Sequence, residues 1–529
     1  MMTYNVVIVG AGAAGLTAAA FLAKYGHSPL LIEKEPQCGG LITSFTRDGF
    51  TFDGGIRALE NAGALFPMIK ALGIDIDLIR STVSVGIEDQ IIAIESQENF
   101  ADYENLLSAL YPESMTEISR IIEDTKKITH YMDIQYGINN PLFLDIKEDR
   151  EYFIKIVFPW IFKYAVTVPK VAKKNLPVAS YLEKFTQNQA LLDIITQHFF
   201  TETPAYFALS YFRLYLDYYY PKGGTGVFSQ KMTEFVSQNG GEIRTDTTIT
   251  KINLDQKILK TSGGDEIAYD QLLWAADQKT LYEIIETQKD VDQNLQEIIN
   301  VKRYQLTELI GNDSVLTLYL ATDLDKAFFE EISNPHFFYT PSRQGQSLAG
   351  EIPVKGTWEE INEWLKLYLS LTTYEISIPI LRDDSLAPEG KTGLIISVLF
   401  DYHLSKHIYD SGYEEDFRDA SASLMIRTLE ETVYPGLKEA ILDKFIATPL
   451  TLANRSGNTH GAITGWSFTN PIMPSENRLI KISNAVNTPL PNVFQAGQWT
   501  YSPSGFPVSL ITGKIAADKI DKQLKKIKG

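Results

Sequence analysis

The apolar positions of this chain change period several times. Val6-Val7-Ile8-Val9 is an unbroken β-branched run, as expected of a short strand buried on both faces of a parallel sheet. Gly10-Ala11-Gly12-Ala13-Ala14-Gly15 follows at once. An alanine-rich stretch from Leu16 to Tyr25 then ends at Gly26, which predicts a helix with glycine just past its end. A second strand, Pro29-Leu30-Leu31-Ile32, delivers Glu33. From Ala64 to about Lys127 the spacing is mostly helical with polar faces. Ser314 to Leu320 and Leu394 to Phe400 alternate as half-buried strands do, so the region from about 300 to 450 reads as mixed sheet and helix. Near the end, Asn492 to Trp499 reads as a strand, and Ser504 to Leu510 leads into a helix from Ile511 to about Lys522.

Two stretches break the pattern. Phe153-Ile154-Lys155-Ile156-Val157-Phe158-Pro159-Trp160-Ile161-Phe162-Lys163-Tyr164, followed by Lys170, Lys173 and Lys174, mixes bulky apolar residues with lysines. It reads either as a segment dipping into a lipid surface with lysines on anionic headgroups, or as a core helix pair whose lysines reach solvent. Leu191 to Tyr220 is dense in rings, among them Phe199, Phe200, Tyr211, Phe212, Tyr215 and Tyr218. Most are expected in a core, with about a third facing a substrate.

The first turn carries chemistry. In a strand, glycine, helix, strand and acid series, Gly10 allows the tight turn, Gly12 the approach of a pyrophosphate, and Gly15 close packing of helix on strand. The phosphate would meet the positive end of the helix dipole. Glu33 can accept from a ribose 2′-hydroxyl but would repel a 2′-phosphate, which favours FAD or NAD over NADP.

With 529 residues, 44% of them hydrophobic, the chain suffices for one large interleaved unit or for two or three domains. A formal charge of -18 sets nucleic acid aside as a partner. One cysteine, Cys38, excludes an internal disulfide framework and fits a reducing compartment. A covalent flavin link there is weighed against a small buried residue, and the latter is preferred. There is no basic leader and no unbroken apolar run of roughly 18 residues. The expected address is the cytoplasm, with contact at the inner face of the membrane left open, as is the oligomeric state.

Several segments together are similar to the flavoproteins of the amine-oxidase and phytoene-desaturase type. These are Gln37-Cys38-Gly39-Gly40-Leu41, Phe52-Asp53-Gly54-Gly55-Ile56-Arg57, Pro221-Lys222-Gly223-Gly224-Thr225-Gly226, Gly240-Gly241-Glu242, the strand at Ile249, Leu272 to Asp277, and the terminal Gly497-Gln498 and Gly505-Phe506-Pro507-Val508. Asp384-Ser385-Leu386-Ala387-Pro388-Glu389-Gly390 resembles a stretch of phytoene desaturases, carotenoid isomerases and retinol saturases. At Gln498-Trp499 the chain departs from the histidine or aspartate usual in polyene-acting members.

The resemblance implies an α/β fold: a Rossmann-like FAD-binding domain from 1–75, 222–300 and 450–529, a helical subdomain over 76–221 and a mixed-sheet substrate domain over 301–449. FAD is expected on Gly10, Gly12, Ala13, Ala14, Gly15, Glu33, Lys34, Gly39, Gly40, Leu41, Gly54, Gly55, Ile56, Arg57, Ile249, Gly497, Gln498, Gly505, Phe506, Pro507 and Val508. No second GxGxxG appears, so the pyridine-nucleotide reductase arrangement is not expected. The implied activity is desaturation, saturation or cis–trans isomerisation at carbon–carbon double bonds of a long apolar carotenoid, retinoid or unsaturated lipid. Amine oxidation and a non-catalytic escort role remain as alternatives. Arg57 and His460 are candidates for orienting or protonating substrate. His403 and His407 lack a further ligand at fixed spacing, so no metal site is expected.

Overall fold

The computed structural model describes residues 2–286 and 293–528; residues 287–292, within the expected 222–300 segment, lie outside it. The first sheet has Met2–Val9 near its centre, flanked in parallel by Leu30–Ile32 and Glu266–Trp274. Glu242–Arg244 extends it in parallel beyond Leu30–Ile32. On the other side Glu266–Trp274 shares its far edge between two partners. Its first half pairs antiparallel with Ile258–Thr261, and Leu272–Trp274 pairs in parallel with Val493–Gln495. Val6 to Val9 are all buried because sheet neighbours and helices cover both faces.

The helix Ala13–Lys24 is buried over ten of its 12 residues, which is why it is alanine-rich all round and not amphipathic. It lies between the sheet, the helix Gly226–Gln238 and the terminal helix Phe506–Lys528. A Cβ on Gly513 would come within 2.4 Å of the Ala14 carbonyl oxygen, so the two ends of the chain touch backbone to backbone. The terminal helix starts five residues before the expected Ile511 because Pro507 is tolerated in a first turn, where no backbone N–H is needed.

The second sheet runs Ile441–Ala447, Ser314–Thr322, Thr392–Phe400, Tyr374–Ser377, His336–Thr340, Val83–Ile87 and Gln90–Ile94. The last two strands correct the helical reading of 64–127. Val83–Ile87 is buried along its whole length, paired in parallel with His336–Thr340 and covered by helices, and its Val-Ser-Val-Gly-Ile alternation spans only five residues, too short to stand out from the helical spacing around it. A small sheet of Leu59–Glu60, Tyr218–Pro221 and Leu78–Arg80 joins the two layers. Asp53 fastens that junction. Fully buried, its carboxylate accepts from Ser44 Oγ (2.9 Å), Tyr220 OH, Thr225 N–H and Thr225 Oγ1 (each 2.8 Å).

The helical region includes Met115–Tyr136 and Phe158–Ala172. Val157 and Thr167 are buried, and Trp160 donates its indole N–H to the Ile134 carbonyl. The opposite face is bare: Phe162 is 76% exposed and Val166 63%, with Phe158, Ile154 and Ile161 also exposed. These residues are therefore not core, which removes that half of the alternative. Among the described residues no helix is long and apolar enough to cross a membrane.

Candidate functional site

The C-terminal ends of the parallel strands Met2–Val9, Leu30–Ile32 and Glu266–Trp274 open into a cavity of about 500 Å³, the place where open α/β sheets bind ligands. Gly10, Gly12, Ala13, Ala14, Glu33, Lys34, Gly39, Gly40, Leu41, Ile56, Ile249, Gly497, Gln498, Gly505 and Phe506 all line it. Gly15 does not: its Cβ would stand 1.9 Å from the Gly10 carbonyl oxygen, so this glycine serves helix packing. Pro507 and Val508 lie in the first turn of the terminal helix and line no cavity described here. Gly54, Gly55 and Arg57 line a neighbouring cavity instead.

The donor set fits a dinucleotide. A Cβ on Gly12 would meet no protein atom within 4 Å, so the space above it is free for a ligand and closed by nothing of the chain's own. The helix beginning at Ala13 has no side-chain cap and no acid in its first turn, and the helix at Phe506 likewise has no acid in its first turn. Two positive helix ends thus converge on one cavity. Glu33 is fixed by two backbone donors, Ala11 N–H to Oε2 (2.8 Å) and Glu35 N–H to Oε1 (3.0 Å), and each oxygen keeps a lone pair for a ribose hydroxyl. The glycine doublet closes the opposite wall, with Gly39 N–H donating to the Ala11 carbonyl at 2.8 Å. Arg455, which sequence reasoning missed, also lines the cavity and donates to Thr43 Oγ1 at 3.1 Å. Its helix, Pro449–Ser456, has a proline start and a glycine stop, which was the readable signal.

The second cavity, about 240 Å³, adjoins the first through Leu41, Ile56, Ile463, Thr464 and Phe506. Its far wall is the mixed sheet, where one cross-strand row runs Phe338, Glu375, Ser397 and Thr317. Phe200, Tyr211 and Tyr218 from the ring-rich stretch line it, and Tyr211 and His198 also border a smaller apolar pocket. Arg57 is buried, donating to the Asp53 carbonyl (2.8 Å) and to Ser397 Oγ (2.9 Å), which is 2.9 Å from Thr317 Oγ1. Its Nε has no hydrogen-bond partner among the described residues.

Two carboxylates and two histidines also line this cavity, and none was singled out from sequence. Burial pushes Glu60 up to about 8, aided by the Asp217 charge. Burial pushes His198 down to about 4. Burial also opposes charge on Glu375, but the hydrogen bond from His336 (2.9 Å) and the Arg57 and Arg382 guanidiniums outweigh it and hold the carboxyl below its ordinary range. Burial holds His336 low despite Glu375, so the neutral ring donates Nε2–H and leaves Nδ1 without a partner among the described residues. The only sequence signal for Glu375 was an acid at an inward position of a buried strand, Tyr374–Ser377.

His460, predicted as a catalytic candidate, is a turn histidine. It sits in a left-handed backbone conformation, φ 58°, with its ring against Tyr402 and His403 and Nδ1 accepting from Gly311 N–H at 3.3 Å. It lines neither cavity. Cys38 is buried, and burial raises its thiol to about 11. His407 hydrogen-bonds the Gly356 carbonyl.

Comparison with known proteins agrees with this architecture. Residues 8–72 match the model of an NAD(P)-binding Rossmann-like domain. The chain is 23% identical to a 4,4'-diapophytoene desaturase (4,4'-diaponeurosporene-forming) of Staphylococcus aureus, over 99% of each chain. Solved oxidoreductase structures share its fold. A crystal structure of an oxidoreductase from Methanosarcina mazei superposes with a TM-score of 0.61 at 14% identity, covering 98% of this chain and 100% of that one. Putrescine oxidase bound to putrescine gives 0.60 at 14% identity, covering 98% and 99%. Reduced UDP-galactopyranose mutase gives 0.56 at 13%, covering 99% and 95%.

Proposed function

We propose that the chain is an FAD-dependent oxidoreductase that acts on carbon–carbon double bonds of a long apolar substrate, with desaturation of a carotenoid precursor as the leading reaction. The observation that carries the reading is the shared wall. A dinucleotide cradle at the strand ends meets a second, partly aromatic cavity across Leu41, Ile56 and Phe506, so a ring system held at the end of the first cavity would face a substrate in the second. The full-length similarity to a diapophytoene desaturase supports it.

FAD would be held by Glu33 at a ribose, by the two helix N-termini at its phosphates, and by Leu41, Ile56 and Phe506 where the cavities meet. It supplies hydride acceptance. The chain's own contribution is to hold an apolar segment against that wall and to exclude water.

Contact with an anionic lipid surface through residues 153–174, on the inner face of the membrane, completes the reading. What supports it is the exposed row Ile154, Phe158, Ile161, Phe162 and Val166 beside the exposed Lys155, Lys163, Lys170 and Lys173, in a chain of charge -18. Extraction of the bound cofactor and chromatography of products from 4,4'-diapophytoene test the proposal. Released FAD with a product of longer conjugation supports it, and no FAD, or an unchanged polyene, counts against it.

A further inference from the structure

Turning a CH–CH unit into a double bond removes a hydride and a proton. A flavin accepts the first, and the second needs a base on the chain. The second cavity offers two carboxyls. Glu375 is tied to His336 at 2.9 Å and held in its charged form by two guanidiniums, which makes it a weak base. Glu60 is different. It ends the short strand Leu59–Glu60, four residues after Ile56, which belongs to the wall the two cavities share. Half-buried and lining the cavity, its carboxyl has no hydrogen-bond or ion-pair partner among the described residues. The Arg213 guanidinium is engaged by Asp133 (2.5 Å) and Asp217 (3.5 Å) instead. A carboxylate with no donors in apolar surroundings takes up a proton readily.

The groups around it leave Glu60 as the one that changes charge near neutral pH. Burial keeps the nearby Tyr136, Tyr211 and Tyr218 protonated. Across the cavity His198 and His336 stay neutral and Glu375 charged. Arg57 is spent on Asp53 and Ser397, and Asp217 accepts from Ala62 N–H at 2.9 Å. Glu60 itself is pushed up to about 8.

We propose that Glu60 is the catalytic base of the desaturation, taking the proton that leaves as the new double bond forms. This rests on the proposed function and deepens it. One carbon gives up its hydrogen with both bonding electrons to the oxidised flavin. Its neighbour gives up a hydrogen as a proton to a Glu60 oxygen, and the electron pair of that C–H bond becomes the π bond. The substrate loses two hydrogens, two electrons pass to the flavin, and Glu60 is left protonated.

Anaerobic stopped-flow mixing of the flavin-loaded protein with 4,4'-diapophytoene in detergent micelles, read as flavin bleaching, tests this. With a base that titrates at about 8, the wild-type rate rises about 30-fold between about pH 6.5 and 9.5. In E60Q it is independent of pH and at least about 100-fold below the wild-type plateau, and E60D recovers part of it. Infrared difference spectra over the same pH range give a readout free of turnover: a protonated-carboxyl band that vanishes near pH 8 in the wild type and is missing from E60Q. A wild-type rate that ignores pH, an E60Q rate equal to wild type, or a band that survives in E60Q overturns the proposal. The wild-type profile decides where E60Q does not fold. Each of these outcomes leaves the proposed function standing as long as the polyene bleaches the flavin, whereas a flavin that no polyene bleaches overturns that function and this base with it.

Discussion

Two glycines of one turn give opposite expectations when a side chain is added. At Gly12 the backbone is extended (φ -76°, ψ -172°), a conformation any residue adopts, and a new Cβ meets no protein atom within 4 Å. G12V is therefore expected to change stability by no more than about 0.5 kcal/mol, as for a surface substitution. The same two methyl groups occupy the space a pyrophosphate needs over the helix N-terminus, so FAD affinity should fall at least about 100-fold, roughly 2.7 kcal/mol. At Gly15 a Cβ would lie 1.9 Å from the Gly10 carbonyl oxygen, where contacts under 3.0 Å essentially never occur, so helix and strand must part by about 1 Å. G15A is then expected to cost about 3 kcal/mol or more in folding. Urea unfolding of the flavin-free proteins, followed by FAD titration, separates the effects. G12V that keeps wild-type FAD affinity, or G15A as stable as the wild type, would refute the assignment of Gly12 to ligand and Gly15 to packing.

Further outcomes follow from the same geometry. D53A strands four donors that now converge on one buried carboxylate and should destabilise the fold by about 3–6 kcal/mol, measured by urea denaturation. Glu60 has a folded pKa raised to about 8, so its neutral form stabilises the fold below the unfolded carboxyl pKa and that contribution is lost as pH rises through 8. E60Q should accordingly flatten the decline of thermal stability between about pH 5 and 8, and an unchanged profile would contradict the assigned burial. F158S/F162S removes two exposed rings at about 1.5–3 kcal/mol each of lipid burial, so sedimentation with anionic vesicles should fall by 100-fold or more while the melting temperature holds. Binding equal to wild type would exclude that face.

The first cavity was largely legible in the sequence because its chemistry is written in backbone. A strand, a glycine at each close approach and an acid after the second strand leave local marks at Gly10, Gly12, Gly39 and Glu33. The second cavity was not, because it is assembled from residues far apart in the chain. Glu375 and His336 become partners only through sheet register, and Arg57 meets Ser397 across 340 positions. His460 misled because a histidine between glycines looks available, whereas its ring is spent on Tyr402 and His403. Val83–Ile87 escaped notice because its alternation lasts only five residues within a longer stretch of helical spacing.

The central claim is tested most directly by the visible spectrum of the purified protein, followed anaerobically after addition of 4,4'-diapophytoene. Flavin absorption that bleaches as conjugated product absorption grows in equal amount is the expected result. A colourless protein, or a flavin that no polyene reduces, would contradict it.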